Sequence, residues 1–314
     1  MKCPSCSKHH RYANGMTCKC GYQFALDPKQ DGISDRRFVS FILAAGCNDT
    51  YHFTENQLYT AACRKQLTPH VAVPILLGVM AIGFLVAGTL ADPALLLLLL
   101  VPFIGIPVWL YFLYFKKLSR VEFEGWLIKY ERSKGPITNL VSETKLSGPP
   151  NDTAESDIFD YGVEKVLLVQ HRILVDLLVL NNIHMTTRAL IATADGYPQY
   201  IASRLEGLLE ESPKLPVFIL HDATLEGITW AEKTDNHFGR SGRPTIDVGL
   251  TPNAVKQIAK IRTLRLKSES YHAPVDCLPM AMLANGISLS LEKSVTMDEM
   301  LIAETSIDSM ASFG

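Results

Sequence analysis

Charge is absent from two long stretches of this sequence. Residues 71–90 and 94–115 contain no Asp, Glu, Lys or Arg. Each run is about 20 residues, which at about 1.5 Å per residue crosses a hydrocarbon core of roughly 30 Å. A buried helical hairpin in a soluble protein would carry a polar face, and neither run has one. Pro74, Pro102 and Pro107 are tolerable within membrane helices. Only Ala91-Asp92-Pro93 separates the runs, so the expected helices are antiparallel. Arg64 and Lys65 precede the first run, and Lys116, Lys117 and Arg120 follow the second. The positive-inside tendency then puts both termini in the cytoplasm, with Trp109, Tyr111 and Tyr114 in an interfacial aromatic belt. The expectation is a transmembrane hairpin over 71–115 in a multi-pass protein of the cell inner membrane, with the lipid bilayer as one partner. Two helices without an intramembrane charge exclude a transport path through one chain.

Net charge is also scarce. Thirty Lys and Arg against 32 Asp and Glu leave a formal charge of −2, and no long basic tract argues for nucleic acid. The N-terminus lacks the charged-then-apolar order of a signal peptide, so no cleavage is expected there. A disulfide framework is missing too. Of seven cysteines, Cys3, Cys6, Cys18 and Cys20 cluster at the start, while Cys47, Cys63 and Cys277 are scattered and read as free thiols. That distribution fits a reducing compartment.

The clustered cysteines carry the clearest chemistry. Cys3-Pro4-Ser5-Cys6 and Cys18-Lys19-Cys20 present thiolates two or three residues apart on tight turns, a spacing that shares one tetrahedral zinc. Pro4 stiffens the first turn, and Gly21 lets backbone amides point at sulfur. With Gly21-Tyr22-Gln23-Phe24 after the second pair, residues 1–26 resemble the zinc-ribbon family, although that family more often spaces its second pair by two residues. Disulfides or a redox pair are the competing readings. His9 and His10 lie between the pairs and are expected in solvent, since four cysteines complete the site and leave no open coordination position.

Residues 31–68 read as two short helices. Residues 35–45 have helical apolar spacing. A second helix follows Phe53, capped by Thr54 with Gln57 at the capping-box position. A packing adaptor is favoured over a DNA-binding helix pair, because the second helix has no Arg/Lys stripe. Residues 116–158 join this region to the rest. Residues 121–132 are amphipathic, lying along a membrane or opening the next domain as a strand, and residues 147–157 have linker composition.

From 159 to 314 apolar runs alternate with helical patterns. Strands are expected over 165–169, 188–193, 216–220 and 246–250, and helices over 172–181, 199–211 and 252–261. Strict alternation argues for a doubly wound α/β domain with a parallel sheet, whose ligands gather at the carboxyl ends of the strands. Those ends carry Gln170 and His171, residues 193–196, and His221, Asp222 and Thr224.

This order resembles the Toprim domain of topoisomerase VI A subunits and their meiotic break-forming relatives, over residues 163–252. Gln170 stands where the family has a Glu. His184 and the Gly196-Tyr197-Pro198 loop fall in register. Residues 215–227 stand where the family has its Asp-x-Asp segment followed by Gly. The resemblance implies magnesium held by clustered carboxylates and phosphoryl or strand-cutting chemistry. Here only Asp222 is an acid, with Thr224 in place of the second Asp, so magnesium is doubtful. Glu226 lies a turn further on. No tyrosine sits in a recognisable basic catalytic context, and residues 236–243 form a basic loop read as flexible surface.

The fold class expected is therefore multi-domain: a zinc ribbon with short helices, the hairpin, and a C-terminal α/β doubly wound, Toprim-like domain. The leading function is a non-catalytic binding or regulatory module for a protein, nucleotide or nucleic acid. One alternative is a metal-dependent phosphodiester hydrolase or nuclease using Asp222 with His221, His171 or His237. Another is a scaffold that recruits proteins to a membrane through the ribbon.

Overall fold

The computed structural model describes residues 1–66, 118–146, 162–240, 242–260 and 273–301. The chain opens with two turns joined by the isolated bridges Lys2–His9 and Thr17–Gln23. Helix α1 (Asp35–Ala45) follows, then the two-residue strand β1 (Phe53–Thr54) and α2 (Glu55–Gln66). The expected capping box forms: Gln57 N–H donates to Thr54 Oγ1 at 3.3 Å, and Thr54 N–H donates to Gln57 Oε1 at 3.0 Å. Next come α3 (Arg120–Lys134) and β2 (Leu140–Val141), which pairs with β1 in parallel.

The amphipathic segment is thus a helix and not a strand. Ser119 caps it by accepting from Glu122 N–H. Phe123, Trp126 and Leu127, spaced three and four apart, then face the same side. They bury against Leu26, Ile33, Phe38, Phe41, Leu58 and Ala61, so α1, α2 and α3 share one core.

The second unit holds β3 (Lys165–Val169), α4 (Arg172–Leu180), α5 (Ile183–Thr187), β4 (Ala189–Ala192), α6 (Ala202–Glu211), β5 (Val217–Leu220), α7 (Leu225–Gly239), β6 (Thr245–Asp247), α8 (Pro252–Lys260) and α9 (Met280–Lys293). The strands form one parallel sheet in the order β4-β3-β5-β6. Alternate residues divide between its two faces. Leu167, Val169, Ile191, Phe218 and Leu220 join α4, α8 and α9 in one core. Val166, Leu168, Leu190, Val217 and Ile219 join α6 and α7 in the other. Helices on both faces of a parallel sheet make the unit doubly wound, and burial on both faces is why its strands read as continuous apolar runs. The chain leaves β3 first toward β4 and later toward β5 on the opposite side. The carboxyl ends of β3 and β5 therefore flank the topological switch point, where such sheets form a crevice.

No described helix is long and apolar enough to cross a membrane. The longest, α3 and α7, have 15 residues each, about 22 Å at 1.5 Å per residue, against roughly 30 Å of hydrocarbon. Both also carry acidic and basic side chains. The transmembrane fold class and the multi-pass inner-membrane location are corrected accordingly: the described chain is mixed α/β with parallel sheets. Residues 71–90 and 94–115, which carried that expectation, lie outside the described residues.

Candidate functional site

The N-terminal turns bring four sulfurs together. Cys3 Sγ lies 3.7 Å from Cys20 Sγ, and Cys6 Sγ lies 3.7 Å from Cys18 Sγ. All four Sγ atoms lie within 4.8 Å of one another. A disulfide would need about 2.05 Å, and all four cysteines are free. A tetrahedral ion with bonds of about 2.3 Å to thiolate sulfur sets its ligands about 3.8 Å apart, which matches the two 3.7 Å separations. The thiols influence one another strongly. The backbone amide of Tyr22, helped by the neighbouring thiols, lowers the Cys20 pKa to about 6. The Lys8 amide favours the Cys6 thiolate, but burial and the adjacent sulfurs outweigh it and push that thiol to about 11. Crowded thiolates resist joint ionisation, and a dication at their centre removes the resistance. The cluster is compatible with a zinc ribbon.

His10 departs from the expectation of a solvent-exposed residue. It is buried, its Nε2 meets Gly15 O at 2.8 Å, and its ring lies 5.3 Å from that of Phe24. It packs inside the N-terminal turns against Phe24; His9 is exposed. The N-terminal turns are fixed to the helices by Asp35, fully buried at the start of α1. That carboxylate accepts from Tyr22 Oη at 2.8 Å, Ala25 N–H at 2.9 Å and Leu26 N–H at 2.8 Å. Lys134 covers the Tyr22 ring at 3.6 Å, and Trp126 Nε1 donates to Asp31 O at 3.0 Å.

At the switch point Gln170 and His171 contact Asp222. Asp222 is buried, and both its oxygens are engaged. Oδ1 accepts from Val275 N–H at 2.8 Å, and Oδ2 accepts from His171 Nε2 at 2.9 Å. Gln170 Oε1 accepts from Asp222 N–H at 3.0 Å. Gly227 must be glycine, because a Cβ there would collide with the Asp222 carbonyl oxygen and crowd Gln170 Oε1. Thr224, at the position of the family's second acid, is the N-cap of α7 and accepts from Gly227 N–H at 2.9 Å.

His221 is buried and points the other way. Its Nδ1 faces Asp222 O at 2.8 Å, and its Nε2 faces both oxygens of Asp247, at 3.1 and 3.2 Å. Two acceptors require protons on both nitrogens, so His221 and Asp247 form an ion pair. Burial opposes charge on His221, but Asp247 outweighs it and raises the pKa above 6.5. Partial desolvation opposes charge on Asp247, which still faces solvent, and His221 outweighs it and lowers that pKa. For His171 the hydrogen bond to Asp222 raises the pKa against partial burial.

Asp276 is a further acid that sequence reasoning missed. It is buried beside this network and its oxygens accept from Asn56 Nδ2 of α2 at 2.9 and 3.1 Å. Burial, with the nearby Asp222 charge, raises its pKa. Asp276 and Asp247 follow no motif, and contacts made across 220 and 26 residues leave no trace in local spacing. The remaining expected residues do not converge. His237 stands at the far end of α7 against Phe238. Arg243 of the basic loop is buried and donates to the carbonyls of Leu209, Ser212 and Leu215, closing the end of α6. His184 is buried, which lowers its pKa to about 4. Among the described residues the four cysteines are the one group of three or more His, Cys, Asp or Glu able to share a metal.

No family model, no curated protein and no solved structure matches this chain. None of these comparisons supports the Toprim resemblance.

Proposed function

We propose that this protein is a binding or regulatory module, in which a structural zinc ribbon is joined to a degenerate, Toprim-like α/β domain without catalytic activity. The observation that carries this reading is the use of Asp222. A metal-dependent hydrolase needs carboxylate oxygens free to meet a hard cation, and both Asp222 oxygens are engaged within the fold. Gln170 and Thr224 add no charge and are themselves occupied, one by Asp222 N–H and the other by Gly227 N–H. Zinc is the ion that suits four thiolates at these separations. Cys3, Cys6, Cys18 and Cys20 would hold it as a closed site with a structural role. The hydrolase alternative draws on the half-exposed His171 beside a buried acid, an arrangement used by general bases.

Two measurements on the full-length protein test this reading. Purified under reducing conditions, it is expected to contain one zinc per chain, lost when Cys3 and Cys6 are replaced by serine. Incubated with magnesium or manganese and bis(p-nitrophenyl) phosphate, it is expected to release no more nitrophenol than a His171→Ala variant. Metal-dependent turnover abolished by that variant would replace the binding module with the hydrolase.

A further inference from the structure

Beyond Asp222, the switch point opens into a cleft of about 510 Å³ lined by Gln170, His171, Leu225, Glu226, Trp230 and Lys233. A second cleft of about 460 Å³ adjoins it, sharing Gln170 and Trp230 and extending to Arg172, Thr193 and Asp195. Both volumes fall within the roughly 300–1,000 Å³ of small-molecule sites. The chemistry of the first cleft is lopsided. Gln170 Oε1 is fixed by Asp222 N–H, so its amide group is oriented and both Nε2 hydrogens remain to donate. His171 holds Asp222 through Nε2, and its Nδ1 is a donor when the ring is protonated. Lys233 is an exposed cation at the rim. Glu226 is the one carboxylate among these six residues. Two large apolar side chains complete the walls: Trp230 on α7, and Leu225, which is 72% exposed. An exposed leucine and a tryptophan beside a donor-rich cleft suit a flat ring attached to an anion.

We propose that this cleft binds a nucleoside monophosphate, the base against Trp230 and Leu225 and the phosphate held by Gln170 Nε2, His171 and Lys233. Glu226 accepts from ribose hydroxyls or from an exocyclic amine of the base. The site needs no metal. The carboxamide of Gln170 at the end of β3 is a donor that meets phosphate directly. The carboxamide also keeps the Asp222 contact that a carboxylate would make. This assignment rests on the binding-module reading and names its ligand class.

The test is calorimetry on zinc-loaded, full-length protein without added magnesium, titrated with adenosine and guanosine monophosphates. Adenosine and inorganic phosphate are titrated separately. Saturable binding of at least one monophosphate is expected, with each half-ligand at least about tenfold weaker. Trp230→Leu removes the stacking face and Lys233→Ala a charged donor, and each is expected to weaken binding about tenfold. Lys233 is exposed, so its variant keeps the fold, which circular dichroism verifies. Absence of saturable binding, or equal affinity in both variants, overturns the site. A short single-stranded oligonucleotide that binds where both monophosphates fail overturns it in favour of a nucleic-acid surface. Magnesium-dependent breakdown of the bound nucleotide would instead sink the non-catalytic reading and leave the site standing.

Discussion

The two histidines at the switch point have opposite exposures and the same electrostatic sign. His171 is half exposed and held by a buried acid; His221 is buried and held by a solvent-facing acid. Both have pKa values raised above 6.5 in the folded protein. A raised histidine pKa means stabilisation that is complete below the unfolded value and lost as pH rises through the folded one. Asp276 acts in the same direction, because a buried carboxylate with a raised pKa costs stability once ionised. The stability difference between the protein and Asp247→Asn is therefore expected to shrink as pH rises through the His221 pKa, a comparison of melting temperatures in which the opposite contribution of the buried His184 cancels. Zinc must be saturating in that measurement, since thiol deprotonation favours metal binding as pH rises. Histidine NMR assigns the effect. The His221 ring is expected to titrate above 6.5 and to drop in Asp247→Asn, which removes the carboxylate charge. An unchanged His221 titration would refute the ion pair.

At the scale of elements, legibility followed locality. The strands were visible because runs such as Val166-Leu167-Leu168-Val169 face cores on both sides. The cap of α2 was visible because Thr54 and Gln57 are three residues apart. Helix α3 was not visible as a helix. Its apolar residues sit among charges, and Gly125 lies in its middle, so the segment looked equally like a strand. What decides it is a core assembled from α1 and α2, far away in sequence. The candidate site divides in the same way. Gln170 and Asp222 follow the apolar runs of β3 and β5 and could be found. Val275, Asp276 and Asn56, which complete the network, could not. The clamp at Asp35 is of this non-local kind. Asp35→Ala leaves Tyr22 Oη and two backbone N–H groups without their acceptor, and an unsatisfied buried donor costs about 1–3 kcal/mol. Chemical denaturation is expected to show a loss of at least that size. Zinc retention should persist, since no cysteine touches Asp35. Loss of zinc without loss of stability would contradict the clamp.

At the scale of the molecule, the helical unit and the α/β unit are tied by polar contacts. Asn181 of the α/β unit accepts from His52 N–H at 2.8 Å through Oδ1 and donates to His52 O at 3.0 Å. Gln57 Nε2 donates to Leu278 O at 3.0 Å. Asn56 joins Asp276 to Arg120, which also meets Glu55. From the four-cysteine cluster to the carboxyl end of β5, the described residues therefore form a connected series, with Asp35 and Asp276 as buried acids at the two junctions. Asp222 belongs to that framework, and its structural role is the central claim. The measurement that tests it most directly is magnesium calorimetry on the full-length protein, its Asp222→Asn variant and the double variant Gln170→Glu, Thr224→Asp. Aspartate is as good an N-cap as threonine, so the double variant keeps α7. The expected result is no saturable magnesium binding by the unaltered protein or by Asp222→Asn, and a gain of binding in the double variant, where three acids meet. Tight binding by the unaltered protein, abolished by Asp222→Asn, would contradict it.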